Sequence, residues 1–127
     1  MKKEIIISKK VPAAIGPYSS ALKIGNLVFV SGQLPIDPVN GEIIKGEIEI
    51  QARRSLENLK AVLESYSVDI ENVVKTTIFL KNMNKFSRVN KIYGEYFTGQ
   101  FPARSCVEVS RLPKDADIEI EAIAFCD

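Results

Sequence analysis

The segment 47–66 has the clearest periodicity in this chain of 127 residues, and it limits the folds that the chain can adopt. Its apolar residues recur at spacings of three and four, which predicts an amphipathic helix with one face in a core. These residues are Ile48, Ala52, Leu56, Leu59, Val62, Leu63 and Tyr66. A helix of this length needs an apolar surface to cover, so the β-like segments on either side of it should form a sheet.

The other segments alternate between strand and helix signals. A Gly25-Asn26 pair between apolar runs predicts a hairpin over 18–32, and the Pro- and Gly-rich stretch 33–46 indicates a loop. An apolar stripe through Phe86, Val89, Tyr93 and Phe97 predicts a second helix over 85–97, with Asn84 as its N-cap. The remaining strand candidates are 4–8, 72–80, 104–111 and 117–126.

These elements follow the order βββαβαββ, and no linker or internal repeat divides them. We therefore expect an α+β fold in a single domain over residues 1–127, with a mixed six-stranded sheet and two helices on one face. In the last strand, Ile118, Ile120, Ala122 and Ala124 should lie under the helices. Glu119, Glu121, Ile123 and Phe125 then face the other way, with Leu27, Phe29 and Ser31 beside them. Large apolar groups on an open face predict a subunit interface, and thus an oligomer.

Composition excludes several kinds of chemistry. The chain has no histidine, so Ser-His-Asp and Cys-His catalysis and histidine-containing zinc sites are excluded within it. Its two cysteines, Cys106 and Cys126, are too few for an all-cysteine zinc site or a disulfide scaffold, and reduced thiols are expected. The net charge is +1, which gives no global attraction to nucleic acid or membrane. No secretory signal or transmembrane segment is expected.

Arg104 and Glu119 are the main candidates for chemistry, although each has an ordinary surface interpretation. Strand alternation puts Arg104 on one face with Cys106 and Glu108, and puts Val107 and Val109 on the core side. A buried arginine requires an anion, and its planar fork suits a carboxylate. A covered glutamate is costly unless it is paired or functional, and it could orient or deprotonate a water.

A hairpin between 104–111 and 117–124 sets the distance between these two residues. With Arg111 opposite Asp117, Arg104 lies opposite Ala124, at roughly 16 Å from Glu119. A shared site would then require a neighbouring subunit or another strand order.

Four further side chains are ambiguous from residue type alone. Cys106 has no histidine to activate it, so a small buried hydrophobe is the simpler interpretation than a nucleophile. Tyr18 could be a core aromatic or a ring stacked on a ligand, and Ser31 and Asn90 are equally undecided. The glycines form neither a dinucleotide fingerprint nor a P-loop.

Three collinear blocks resemble the RidA family, also called the YjgF family. They are "AAIGPYSSALKIGNLVFVSGQLPIDP", "VVKTTIFLKNMNKF" and "FPARSCVEVSRLPKDADIEIEAIA", which together extend from about Pro12 to Ala124. The resemblance implies a chorismate mutase-like fold and a homotrimer whose sheets line a central barrel, with ligand clefts between subunits.

The implied activity is hydrolysis of 2-aminoacrylate/2-iminopropanoate and 2-aminocrotonate/2-iminobutanoate to 2-oxo acids and ammonia. PLP-dependent dehydratases make these substrates, so a functional coupling to such enzymes and a cytoplasmic location are expected. The family's site residues match Arg104 as the carboxylate-binding arginine and Glu119, rather than Glu121, as the catalytic carboxylate. The other matched substrate-binding positions are Tyr18, Ser31 with the adjoining Gly32, Asn90 and Cys106.

The resemblance implies that Arg104 holds the substrate carboxylate while Glu119, with Ser31, holds the attacking water. An iminium carbon is already electrophilic, so neither a metal nor a cofactor is expected. Two alternatives stay open: a non-catalytic ligand-binding regulator, and a translation inhibitor of the ribonuclease type. Near-neutral charge and the lack of a base-stacking array argue against RNA binding.

Overall fold

Six strands and two helices follow one another in the computed structural model, which describes residues 1–127. The strands are β1 (Lys3–Glu4), β2 (Ala21–Ile24), β3 (Leu27–Gln33), β4 (Val73–Leu80), β5 (Ala103–Glu108) and β6 (Ile118–Phe125). The helices are α1 (Ile48–Ser65) and α2 (Phe86–Tyr96). This order is the predicted βββαβαββ, and the predicted fold class is confirmed.

All six strands belong to one mixed sheet with the order β1-β2-β3-β6-β4-β5. β2 and β3 form the predicted hairpin around Gly25, whose φ of 58° suits a left-handed turn position. β6 lies between β3 and β4 and is antiparallel to both. Its inward residues Ile118 and Ile120 are fully buried, so the most apolar alternating strand occupies the centre of the sheet. The N-terminal strand predicted over 4–8 is wrong for 5–8: only Lys3 and Glu4 pair with β2, and Glu4 alone lies in the predicted range.

The predicted hairpin between 104–111 and 117–124 is wrong. β5 pairs in parallel with β4, and Arg104 lies opposite Thr76 rather than opposite Ala124. Arg111 pairs with Asp115 within the connecting turn, at 2.8 Å between Nε and Oδ1, and not with Asp117. The physical reason is polarity. β5 carries Arg, Ser, Cys and Glu side chains that suit the edge of a sheet, whereas the more apolar β6 suits a central position with a neighbouring strand on each side.

The faces of β5 are also the reverse of the expectation. Arg104 and Cys106 are on one face as predicted, but this face points towards the helices, because Cys106 is aligned with the buried Ile78. Val107, predicted to face the core, is 42% exposed on the opposite side of the sheet, and Val109 is only partly buried.

Both helices pack on one face of the sheet. α1 covers β3 and β6 and contacts α2, and the core between the layers includes Leu56, Leu59, Ile78 and Ile120. The predicted N-cap Asn84 is wrong. Asn82 accepts a hydrogen bond from Asn84 N and caps a 3-10 turn over Met83–Lys85, after which α2 begins.

The other face of the sheet has no helix over it. Leu27, Phe29, Val107 and Phe125 are each between 36% and 42% exposed there. Ile123 of β6 also lies on this open face, between Phe29 of β3 and strand β4. The face therefore has the mixture of apolar and acidic side chains that the alternation of β6 predicts.

Candidate functional site

Arg104 lies on the edge strand β5 beside α2, at the mouth of a cavity of about 410 Å³. We call this cavity the arginine pocket; its lining consists of Asn90, Tyr93, Gly94, Phe101, Pro102 and Arg104. One guanidinium nitrogen, Nη1, donates a hydrogen bond of 2.7 Å to the side-chain oxygen of Asn90. The prediction that these two residues belong to one site is consistent with this contact.

Two aromatic rings from α2 also support Arg104. The guanidinium carbon Cζ lies 4.9 Å from the ring centroid of Tyr93 and 5.2 Å from that of Phe86. The sequence stripe assigned both rings to the core alone. The polar Asn90 within that stripe, four residues after Phe86, is the signal that this helix face borders a site.

Arg104 has no acidic partner in the chain. The five ion pairs of the structure involve other residues, and Asn90 is its only hydrogen-bond acceptor. A guanidinium carries five N–H groups, so four remain for a ligand. A cation held by rings and an amide, with most donors free, is arranged to bind an anion.

The loop before β5 forms the outer wall of the arginine pocket. The carboxylate of Glu71 accepts hydrogen bonds from the backbone N and Oγ1 of Thr98, both at 3.0 Å, and from Gly99 N. These bonds lower the pKa of Glu71. They fix the loop at the point where it leads to Phe101, a residue that sequence reasoning did not single out.

Four other residues predicted for the site lie in the loop before β2, on β3 and on β6: Tyr18, Ser31, Gly32 and Glu119, which we call the glutamate patch. Ser31 and Gly32 lie in an irregular stretch of β3, where Val30 pairs with Ala122 but Gln33 pairs with Ile120. One extra residue of β3 is accommodated there, as in a β-bulge. A Cβ atom at Gly32 would lie 2.5 Å from Cδ of Glu119, so a side chain at position 32 would displace this carboxylate from its place.

Burial gives Glu119 an altered acidity. Its pKa is raised, first by desolvation and second by the negative charge of Glu121 on the same face of β6. A carboxyl group with a raised pKa can exchange a proton nearer neutral pH than an ordinary glutamate can. This property makes Glu119 a candidate for proton transfer.

Tyr18 and Ser31 border a cavity of about 490 Å³ on the open face, lined also by Phe29, Lys75 and Glu121. Ser31 Oγ donates a hydrogen bond of 2.6 Å to the carbonyl oxygen of Ser19, which ties the Tyr18 loop to β3. Tyr18 itself is 53% exposed, so it is not a core aromatic within this chain. Glu121 rather than Glu119 lines this cavity.

The arginine pocket and the glutamate patch do not meet within one chain. Arg104 is aligned with Thr76 and Glu119 with Phe79, so they are three residues apart along β4 and on opposite sides of it. That geometry separates their Cα atoms by about 14 Å. The two side chains also point to opposite faces of the sheet, since Thr76 is buried under α2 while Phe79 faces outward.

Cys106 packs against the core beside Arg104. Burial raises the pKa of its thiol, and the nearby guanidinium offsets only part of this effect. A protonated thiol is a poor nucleophile, which favours the interpretation of Cys106 as a packing residue.

No three Cys, Asp or Glu side chains converge in an arrangement that could hold a metal ion. Neither α1 nor α2 has the length and apolarity that a membrane span requires.

Comparison with known proteins identifies the class to which this fold and site belong. The sequence model of the family described as Endoribonuclease L-PSP matches residues 8–126. The chain therefore belongs to this family, and the resemblance to RidA proteins is confirmed.

Particular relatives make the match more specific. A RutC family protein of Pyrococcus abyssi is 54% identical over 125 residues, which cover 98% of each chain. The 2-iminobutanoate/2-iminopropanoate deaminase of Escherichia coli is 49% identical over 122 residues, or 94% of each chain. A crystal structure of a Thermotoga maritima protein that carries the endoribonuclease name superposes with a TM-score of 0.96. It is 50% identical and covers 100% of this chain and 99% of its own.

Proposed function

We propose that this protein hydrolyses short 2-imino acids and their enamine tautomers to 2-oxo acids and ammonia. The substrates are 2-aminoacrylate/2-iminopropanoate and 2-aminocrotonate/2-iminobutanoate. The observation that carries the proposal is the unpaired guanidinium of Arg104 at an open pocket. The name of the Escherichia coli relative supports the same reaction.

Arg104 binds the substrate carboxylate in this mechanism. Its four free N–H groups allow two parallel charge-assisted hydrogen bonds to the two carboxylate oxygens. Asn90 holds the guanidinium through Nη1 and borders the same pocket. A carboxylate fixed in this way places C2 of the substrate at a defined distance from the arginine, which is the positioning that hydrolysis needs.

In this mechanism, Glu119 activates the attacking water and transfers protons. It accepts a proton from water as the water oxygen adds to C2, which forms a carbinolamine. Glu119 then gives this proton to the nitrogen. The carbon–nitrogen bond breaks and ammonia leaves as the carbon–oxygen double bond forms, while Glu119 takes the hydroxyl proton of the carbinolamine and passes it to the departing ammonia, which leaves as ammonium. A carboxyl group of raised pKa suits this exchange, and Ser31 borders the adjacent cavity. The imine carbon is itself electrophilic, so the proposal requires no metal or cofactor.

A complete site needs two subunits in this proposal. About 14 Å and a β-sheet separate Arg104 from Glu119 in one chain, and one small substrate cannot contact both. We propose a homotrimer in which the open face is covered and the arginine pocket of one subunit meets the glutamate patch of the next. The exposed Leu27, Phe29, Val107 and Phe125 support such a contact.

The substrates also define the partners. Enamines of this kind are products of PLP-dependent dehydratases, so we propose that the protein acts in the cytoplasm together with such enzymes. The proposal includes no membrane and no nucleic acid as a partner.

A coupled assay tests the reaction. A serine or threonine dehydratase generates the three- or four-carbon imine, and 2-oxo acid formation is followed with and without the protein. We expect acceleration over spontaneous hydrolysis for at least one imine. If none occurs while pyruvate or 2-oxobutanoate still binds, the protein is a ligand-binding regulator and the proposal fails. Cleavage of a labelled RNA in a parallel reaction would instead favour the ribonuclease alternative.

Subunit mixing tests the shared site. Arg104→Ala and Glu119→Gln proteins should each keep at most about a hundredth of the parent activity alone, but mixed oligomers of the two contain some sites with both residues intact. In a ring of head-to-tail contacts, random equal mixing restores about a quarter of the sites. Mixing without recovery, after exchange of subunits has been verified by mass spectrometry, would contradict a site built from two chains.

A further inference from the structure

A buried pair of hydroxyl groups lies beneath the arginine pocket. Thr76 Oγ1 and Tyr93 Oη are 2.7 Å apart, in a region where Thr76 is fully buried and Tyr93 is 4% exposed. The pair connects the middle of the sheet to α2. Each is the other's only side-chain partner, and the surroundings are the apolar core.

Folding alone does not explain this pair. Two hydroxyl groups that satisfy each other in a core can be replaced together by apolar groups of the same shape at little cost in stability. A valine at 76 and a phenylalanine at 93 would fill nearly the same space. A buried hydroxyl group without a partner would also destabilise the fold. We therefore look for the role of the pair in the orientation of the side chain that it fixes.

The ring that the pair holds is the one below Arg104. The Tyr93 ring centroid is 4.9 Å from the guanidinium carbon, and Phe86 supports the same cation from one side at 5.2 Å. Phe86, Asn90 and Tyr93 occupy one face of α2 at successive turns. Burial also raises the pKa of Tyr93, so the phenol keeps the proton that a hydrogen bond between the two hydroxyl groups can use.

We propose that Thr76 and Tyr93 are positioning residues for Arg104: the hydroxyl pair fixes the Tyr93 ring, and the ring fixes the guanidinium for a ligand carboxylate. This inference depends on the carboxylate-binding role of Arg104 proposed above. Aromatic support takes the place of an acidic partner, which would hold the arginine equally well but would compete with the ligand for its N–H groups.

Three variants test the inference: Tyr93→Phe, Thr76→Val and the double variant. Each should raise the Kd for 2-oxobutanoate by calorimetry, and the KM for the imine, by about two- to five-fold, the scale of a modest cation–π contact. The value of kcat should change less than KM, because the carboxylate is bound in both the ground and transition states. The double variant should recover the thermal stability that either single variant loses, without recovering affinity.

The matched control is Tyr66→Phe. Tyr66 is another buried tyrosine, whose hydroxyl donates to the carbonyl oxygen of Ala21 at 2.8 Å and is remote from Arg104. It should lose stability and keep its Kd and KM. If Tyr93→Phe behaves like Tyr66→Phe, with stability lowered and affinity unchanged, the pair is purely structural and the inference is overturned.

A spectroscopic measurement separates this inference from the proposed function. The Nε–Hε resonance of Arg104, assigned with Arg104→Lys, reports rotation of the guanidinium without any ligand. Slower rotation in the parent protein than in Tyr93→Phe supports the inference even if no imine is hydrolysed, and equal rotation contradicts it. Absence of imine hydrolysis contradicts the proposed function alone.

Discussion

The arginine pocket and the glutamate patch differ in how much of each one chain provides. Arg104 is already oriented by a hydrogen bond to Asn90 and by two rings, and its pocket has walls from α2 and from the loop before β5. Glu119 is half-buried on a sheet face without a cover, and burial already raises its pKa. The guanidinium is therefore oriented by contacts within one chain, whereas the carboxyl group lies on a face of the sheet that no other element of the chain covers.

This difference separates binding from chemistry. A single chain holds the groups proposed to bind a carboxylate, and the proposed proton-transfer group faces away from them. Substitutions in the arginine pocket should therefore affect affinity for any 2-oxo or 2-imino acid. Substitutions in the glutamate patch should affect turnover and leave the binding of a product analogue nearly intact.

Arg104→Ala should have the largest effect. Loss of two charge-assisted hydrogen bonds should reduce kcat/KM for imines by about a thousand-fold, and 2-oxobutanoate binding should fall similarly. Arg104→Lys should also lose at least about ten-fold, because a point charge cannot reproduce the fork. Folding and assembly should be preserved, since Arg104 forms no ion pair.

The control for this prediction is Arg111→Ala, which removes an exposed arginine that pairs with Asp115. It should keep its activity in the coupled assay and its sedimentation behaviour. Full activity of Arg104→Ala would refute the assigned role.

Glu119→Gln should reduce kcat by about a hundred-fold, the usual contribution of a general acid–base group, with little change in 2-oxobutanoate binding. Glu121→Gln is the matched control on the same strand and should retain most activity. The opposite ranking of the two variants would assign the proton transfer to Glu121, which lines the open-face cavity.

The same variant has a predictable effect on stability. The pKa of Glu119 is raised above its ordinary value of 4.5, so its protonated form favours the folded state and this contribution is lost as pH rises through the raised pKa. Glu119→Gln should therefore have a higher Tm than the parent protein at neutral pH. The difference should shrink as the pH falls towards 4.5, and melting curves across that range measure it.

The two regions also differ in how far they could be predicted from sequence. Spacing predicted both helices and the order of helices and strands along the chain, because each apolar stripe is long and the alternation along β6 is strict. Alternation correctly put Arg104 and Cys106 on one face of β5, but it cannot tell which face turns inward when an edge strand has polar groups on both. The parallel pairing with β4 was missed because a sequential hairpin is the simpler local solution.

The glutamate patch was predicted through family resemblance rather than through spacing. Ser31 and Gly32 lie in a β-bulge, and the close approach of Glu119 to Gly32 is a contact between distant parts of the chain. The hydroxyl pair of Thr76 and Tyr93 was missed for the same reason. Local sequence has no signal for which polar groups a folded core brings together.

Asn90→Asp sharpens the claim that the arginine must stay unpaired. A carboxylate placed 2.7 Å from Nη1 would form an ion pair with Arg104 and compete with the ligand. We expect a roughly ten-fold rise in Kd for 2-oxobutanoate without loss of thermal stability, in the range of one charge-assisted hydrogen bond. Asn90→Ala, which removes the amide without adding charge, should raise Kd less. Equal affinity of Asn90→Asp and the parent protein would show that an acidic partner is tolerated.

Cys106→Ser should have the smallest effect, and it tests whether the chemistry of the site is confined to Arg104 and Glu119. Burial raises the pKa of the Cys106 thiol and Arg104 offsets this in part, so a reactive thiolate is not favoured near neutral pH. We expect kcat/KM to stay within about two-fold of the parent value, because the substitution exchanges one small side chain for another at a partly buried position.

Alkylation with iodoacetamide should likewise be slow at pH 7 and should accelerate only at alkaline pH. A large loss of kcat together with fast alkylation at neutral pH would identify Cys106 as a nucleophile. In that case the arginine pocket would carry out chemistry as well as binding, and the division between the two regions would no longer hold.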